Sequence, residues 1–264
     1  MALINCDFFS ETLGFCCSMT VILPQKTSAQ IGLTGKAGRS TKFPVLYLLH
    51  GSSDDHTIWL RRTSIERYVA PMGLAVVMPC AHISYYTDMK YGGKYWTFVS
   101  QELPALVKSF FPISDRREDT FAAGLSMGGY GAFKLGLSLP EQFAAAASLS
   151  GVMDVQRLFD TQDNLPGRQR QRLCIFGEKE KIAGSDNDLF RLADKLAKRK
   201  DTPRPKLFQC CGTEDFLYQD NLQFRDHLQK RKFDLTYTDG PGTHEWGYWD
   251  ANIQKVLAWL PLKK

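Results

Sequence analysis

The chain has 264 residues, 44% of them hydrophobic and 23% charged, a composition that buries a core and excludes disordered and fibrous classes. A length of this order suits one α/β domain with insertions, spanning residues 1–264. The formal charge of +5 would suit nucleic acid, but the basic residues are neither clustered on one face nor interleaved with aromatics, so no nucleic-acid partner is expected.

Two largely apolar runs, Cys6–Phe9 and Phe15–Leu23, open the chain as an antiparallel start closed by Pro24. Residues 25–42 are rich in Gly, Ser, Thr and Lys and read as a surface hairpin loop. The continuous apolar run Phe43–His50 then predicts a central strand buried on both faces. Leu74–Met78 is a short strand, and Phe98–Phe110 an amphipathic helix expected to kink at Pro104. Thr120–Ala123 and Phe143–Leu149 are strands flanking a helix over Met127–Leu139. Residues 152–172, including a Pro/Gly/Gln-rich loop with Arg168, Arg170 and Arg172, are the one candidate insertion and are expected to form part of a cap. Leu173–Phe176 reads as a strand, followed by a helix near Asp188–Lys198, a strand Lys206–Cys211, a helix near Asn221–Lys230, a strand Leu235–Thr238 and a last helix Trp246–Trp259. The cations Lys195, Lys198, Arg199 and Lys200 close a helix, where they favour its dipole. This alternation predicts an α/β fold, a mostly parallel sheet with helices on both faces, binding ligands at the carboxyl ends of its strands.

Seven cysteines include the adjacent pairs Cys16/Cys17 and Cys210/Cys211, whose side chains point to opposite faces of a strand. Buried free thiols in a reducing compartment are the expectation. Cys and His spacings give no metal site, and no cofactor is expected. With no signal-like N-terminus and no apolar run of spanning length, the protein is expected in the cytoplasm, away from membranes.

Gly124-Leu-Ser126-Met-Gly128 sits between a predicted strand and a predicted helix. A serine on such a tight turn projects its hydroxyl from the sheet, with small neighbours required where a Cβ would collide with backbone. In an ordinary turn the same residues would mean nothing; the strand-turn-helix setting points to a nucleophile. Its hydroxyl needs a base within reach. Of five histidines, His227 lies inside a helix, His56 and His82 in loops upstream of the serine, and His50 beside a glycine at a strand end. His244 follows the last strand in a Gly/Pro turn and is the preferred base. An acid must orient that base. Asp215 follows the preceding strand and gives the chain order Ser, Asp, His stated for α/β-hydrolases. Glu214 is a close rival, with Asp220, Asp239, Asp186 and Asp188 further alternatives, the last two also suited to helix capping. The oxyanion cradle is expected from the backbone amides of Ser52, after the inner strand, and Met127, after the nucleophile.

These residues resemble the esterase D-like group of α/β-hydrolases, which includes tributyrin esterases, S-formylglutathione hydrolases and mycolyltransferases. The resemblance rests on Tyr47-Leu-Leu-His50-Gly51 with Trp59, Tyr85-Tyr86-Thr87-Asp88, Tyr95–Leu103 with Glu102-Leu103-Pro104, Gly124–Gly129, Cys211–Tyr218 and Gly242–Trp246, in order along nearly the whole chain. It implies hydrolysis of small acyl esters, closest to the tributyrin-esterase type, and supports Asp215 over Glu214 and His244 over the other histidines. Family members often carry an apolar residue at the position of Ser52. Trp59, Tyr85, Tyr86 and Trp96 are expected to line the substrate pocket, although aromatics at a sheet edge are as often plain core. A thioesterase of the S-formylglutathione hydrolase type is the second reading, a non-catalytic hydrolase-fold binding protein the third. The resemblance also implies a homo-oligomer.

Overall fold

The computed structural model describes residues 1–36, 41–160 and 167–263. Among them eight strands form one sheet in the order β1-β2-β4-β3-β5-β6-β7-β8: β1 Ala2–Ser10, β2 Phe15–Leu23, β3 Val45–Leu49, β4 Ala75–Pro79, β5 Thr120–Leu125, β6 Ala145–Leu149, β7 Lys206–Gly212 and β8 Leu235–Gly240. β1 and β2 pair antiparallel, β2 joins β4 antiparallel, and every later pairing is parallel. The connections between these parallel strands carry α1 Ile58–Arg62, α2 Ile65–Val69, α3 Tyr95–Thr97, α4 Leu103–Phe110, α5 Met127–Ser138, α6 Arg168–Phe176, α7 Leu189–Ala197 and α8 Tyr218–Lys230, and α9 Trp246–Trp259 follows β8. None of these helices is long and apolar enough to cross a membrane. The architecture is an α/β-hydrolase fold.

Strand alternation divides the core. Leu46 and Leu48 of β3, with Val76, Phe121 and Phe208, face α1, α2 and α9, whereas Val45, Tyr47 and Leu49 face the opposite helices α4 and α5. Farther along that second face, Ala146 and Leu207 pack with α5, α7 and α8. Both faces are therefore covered, which accounts for strands that are apolar throughout.

Several expectations are corrected. The segment after β2 is mostly exposed and folds back on itself through an antiparallel Thr27–Gly35 bridge, but it does not join neighbouring strands, since β4 lies between β2 and β3 in the sheet. The helix expected over Phe98–Phe110 is one unbroken helical run, Tyr95–Phe110, and its irregularity is a π-helical turn, Phe98–Glu102, shortly before Pro104. Leu173–Phe176 is not a strand but the last part of α6, because the strong helix formers Arg168–Arg172 propagate into it and Arg172, Ile175 and Phe176 bury one face. The sheet has no slot for a strand there, since β6 pairs directly with β7. Arg168, Arg170 and Arg172 accordingly lie on a helix, not in a loop; residues 161–166 of the expected cap fall outside the described residues. All seven cysteines are free thiols, but Cys16 is exposed and only Cys17, Cys210 and Cys211 are buried.

Two side chains near the end of β3 set local stability. Trp59 of α1 is buried between the sheet and α9, its indole N–H donating to the Leu49 carbonyl at 3.1 Å and its ring edge-on to Trp246 at 5.3 Å. It is core, contrary to its expected place in a substrate pocket. Trp59→Ala should destabilise the protein by about 3–5 kcal/mol in urea unfolding. His50 is buried as well: Nε2 accepts from the Ala81 N–H at 2.9 Å, which leaves Nδ1 to donate to the Gly51 carbonyl at 2.7 Å. Burial pushes its pKa down to about 4. An unfolded histidine takes up a proton below about pH 6.5, so between there and pH 4 the unfolded chain binds the extra proton. Stability should therefore fall by ~3 kcal/mol as pH drops through that window. In His50→Gln this component of the pH slope should vanish.

Candidate active site

β5 ends at Leu125 and α5 begins at Met127, so Ser126 alone makes the reversal, with φ 53° and ψ −117°. A non-glycine residue with positive φ is strained by about 1–3 kcal/mol and persists only where its surroundings over-determine it. Here the Ser126 N–H donates to Leu149 O at 2.9 Å, and the Ser126 carbonyl accepts from the N–H of Tyr130 at 3.1 Å and of Val152 at 3.2 Å. Flanking glycines allow the close approach. A Cβ on Gly124 would stand 2.4 Å from the Gly128 carbonyl, and one on Gly128 would stand 2.4 Å from Leu49 O and 2.7 Å from His50 O. The end of β3 is thus pressed against the first turn of α5.

Two further loops converge on this turn. His244, between β8 and α9, places Nε2 3.0 Å from Ser126 Oγ and Nδ1 2.8 Å from Asp215 Oδ2. The next residue, Glu245, caps α9 by accepting from the N–H groups of Gly247 at 2.7 Å and Tyr248 at 2.8 Å, which fixes the backbone beside the histidine. The imidazole packs against Phe216, centroids 4.6 Å apart, and edge-on to Trp249 at 4.9 Å. Asp215 lies on a tight turn after β7, its side chain without exposed surface and its Oδ1 accepting from the Leu217 N–H at 2.9 Å. Burial alone would raise its pKa; the hydrogen bond and charge of His244 and the Leu217 N–H outweigh that and hold the carboxyl below its ordinary value. An ionised Asp215 keeps the imidazole proton on Nδ1 and leaves the Nε2 lone pair facing the serine.

The rival acids are engaged elsewhere. Glu214 is exposed and braces the histidine loop, accepting from the Gly242 N–H at 2.5 Å. Asp239 accepts from the Tyr218 hydroxyl at 2.8 Å, Asp220 pairs with Arg157, Asp186 with Arg191, and Asp188 caps α7. Among the other histidines, His227 faces Asp194 at 2.8 Å. Among the described residues no group of His, Cys, Asp and Glu is arranged to hold a metal.

The Met127 amide is the first of α5 and one of the donors a helix cannot satisfy internally. Ser52 is half-buried two residues beyond His50, on the segment that the Gly128 contact brings to the turn. The Tyr86 hydroxyl donates to the His50 carbonyl at 2.9 Å. Tyr86 is therefore fully buried support for this loop, and not pocket lining as expected. Tyr85 is half-buried against Tyr130 and Phe176, with ring centroids 6.1 and 5.3 Å away. Trp96 lies elsewhere: with Lys134, Asp88 and Asp186 it lines a cleft of about 440 Å³ whose walls include neither Ser126 nor His244. Sequence reasoning did not single out Phe216, which is 73% exposed while resting on the imidazole. Its position directly after Asp215 was the available signal.

Known proteins resemble this chain along nearly its whole length. The esterase family model matches residues 20–260. An acetyl esterase from Caldicellulosiruptor saccharolyticus is 30% identical, covering 98% of both chains. Among solved structures, the substrate-bound fluorophosphonate-binding serine hydrolase F of Staphylococcus aureus is 38% identical with a TM-score of 0.87, covering 100% of this chain and 99% of that one. The S-formylglutathione hydrolase of the same organism is 39% identical with a TM-score of 0.84, covering 98% of each chain. The chain belongs to the esterase family, carboxylic ester hydrolases built on the α/β-hydrolase fold.

Proposed function

We propose that this esterase hydrolyses short-chain acyl esters through an acyl-enzyme, with Ser126 as nucleophile, His244 as general base and Asp215 as the acid that orients it. The observation that carries the reading is the unbroken hydrogen-bonded run from Ser126 Oγ through both nitrogens of His244 to Asp215, at 3.0 and 2.8 Å. In the first half-reaction Ser126 Oγ adds to the ester carbonyl carbon while His244 Nε2 takes the hydroxyl proton. The Ser52 and Met127 amides receive the oxyanion. Collapse breaks the bond to the alcohol oxygen, which leaves with the proton from Nε2. Water then repeats the sequence on the acyl-enzyme and releases the carboxylic acid.

Short acyl groups, of the tributyrin-esterase kind, accord with the acetyl esterase relative. A second reading, thioester hydrolysis of the S-formylglutathione hydrolase type, is favoured by the 39% identical staphylococcal structure. Tyr85 and the exposed Phe216 are the aromatic side chains proposed to meet substrate. The same reading takes the chain as one domain in which residues 152–172 contribute to a cap, working in the cytoplasm, where free thiols persist, with assembly as a homo-oligomer.

A fluorophosphonate probe should label the wild type and not Ser126→Ala, and Ser126→Ala should lose hydrolysis of p-nitrophenyl acetate; full activity in that variant would remove the nucleophile. A series of acyl chain lengths on ester and thioester substrates, compared by kcat/KM, should peak at short esters. A preference for thioesters would select the second reading. Because the donor at position 52 is backbone, Ser52→Ala should change kcat little, whereas Ser52→Pro, which removes the N–H, should cost about 2.7–4 kcal/mol of transition-state stabilisation.

A further inference from the structure

Lys134 sits just over two turns beyond Ser126 on α5, and it is 2% exposed. Its Nζ donates to Thr87 Oγ1 at 2.6 Å, Asn187 Oδ1 at 2.7 Å and the Tyr86 carbonyl at 3.5 Å, and lies 4.7 Å above the Trp96 ring. No carboxylate makes an ion pair with it among the described residues; Asp88 and Asp186 act on it only through space. Burial pushes this amine down to about 7. A buried ammonium with only neutral partners is an expensive way to fill a helix position that a methionine would fill by packing alone. Such a departure from local consistency marks a constraint imposed from elsewhere.

The segment it grips is strained. Tyr85 and Tyr86 are consecutive non-glycine residues at φ 52° and 49°, conformations that need external support. Tyr86 in turn lies on α5 at Gly131, where a Cβ would be 2.5 Å from its ring, and its hydroxyl holds the His50 carbonyl at 2.9 Å. That carbonyl belongs to the peptide leading through Gly51 to the Ser52 amide. One contact path therefore runs from the nucleophile's own helix, through Lys134 and Tyr86, to the opposite side of the site.

We propose that Lys134 is a positioning residue for the oxyanion cradle, acting through Tyr86; the proposal rests on the assignment of the Ser52 amide as an oxyanion donor. Releasing the amine frees the left-handed pair to relax, shifts the Tyr86 hydroxyl off His50 and loosens the Ser52 amide. An oxyanion donor acts on the transition state more than on bound substrate, so the loss falls on kcat and not on KM.

The test is a double-mutant cycle on p-nitrophenyl acetate with Lys134→Met, Tyr86→Phe and the pair, with folding checked by circular dichroism and thermal melting. Each single variant should lower kcat by about tenfold, less than the 10²–10³-fold of a deleted donor, with KM unchanged. The pair should lose about the same tenfold, because both substitutions break one path. Unchanged kcat in the single variants, a loss confined to KM, or multiplication of the two effects would overturn the proposal. Should Lys134→Met fail to fold, Thr87→Val takes its place in the cycle and is read by the same outcomes. Ser52→Pro separates the two ideas: activity retained there removes the oxyanion assignment itself, whereas activity lost there alongside a multiplicative cycle removes only the role of Lys134.

Discussion

The site depends on one residue's backbone being held where it would not rest by itself. Ser126 keeps its left-handed conformation because β6 receives its N–H, while α5 and the segment after β6 donate to its carbonyl. Those contacts exist only when β5 and β6 are paired and α5 lies across the sheet. The strain is thus stored by the whole central fold. Glycines 124 and 128 are the other half of the same constraint, since any side chain there would push the helix off the strands that aim the hydroxyl.

Two histidines show how surroundings divide roles among identical side chains. His50 is sealed in the core with both nitrogens committed to backbone, and burial keeps it neutral through the physiological range. His244 is part exposed, with one nitrogen on a buried carboxylate and the other on a hydroxyl. The first is fixed in a single protonation state and serves structure; the second has its Nδ1 proton held by a carboxylate and its Nε2 lone pair turned to a hydroxyl.

Much of this was legible in the chain itself. Continuous apolar runs signalled strands covered on both faces, and Gly-x-Ser-x-Gly in its setting indicated the sharp turn. The places of His244 and Asp215 after the last two strands made them the pair that could reach it. Where reading by pattern failed, the deciding forces were tertiary or were weighed wrongly. Leu173–Phe176 is apolar enough for a strand, but the helix formers before it and the absence of a free sheet position override that signal. Aromatic identity did not reveal that Trp59 points toward α9 or that Tyr86 is buried beneath the β3 loop. Lys134 looks in sequence like any cation on a helix, and its burial becomes visible only once Thr87 and Asn187 are brought beside it.

Glu214 and Asp215 are neighbours in the chain, and both reach the loop after β8, one gripping the backbone at Gly242 and the other the ring of His244. Gly212 closes the same joint, since its Cα passes too near Gly242 O to carry a Cβ. The two loops are consequently riveted into a single piece that carries imidazole and carboxylate together. The placement of that pair against the serine thus rests on one geometric relation, between this piece and the β5–α5 turn, where three separate segments would have had several.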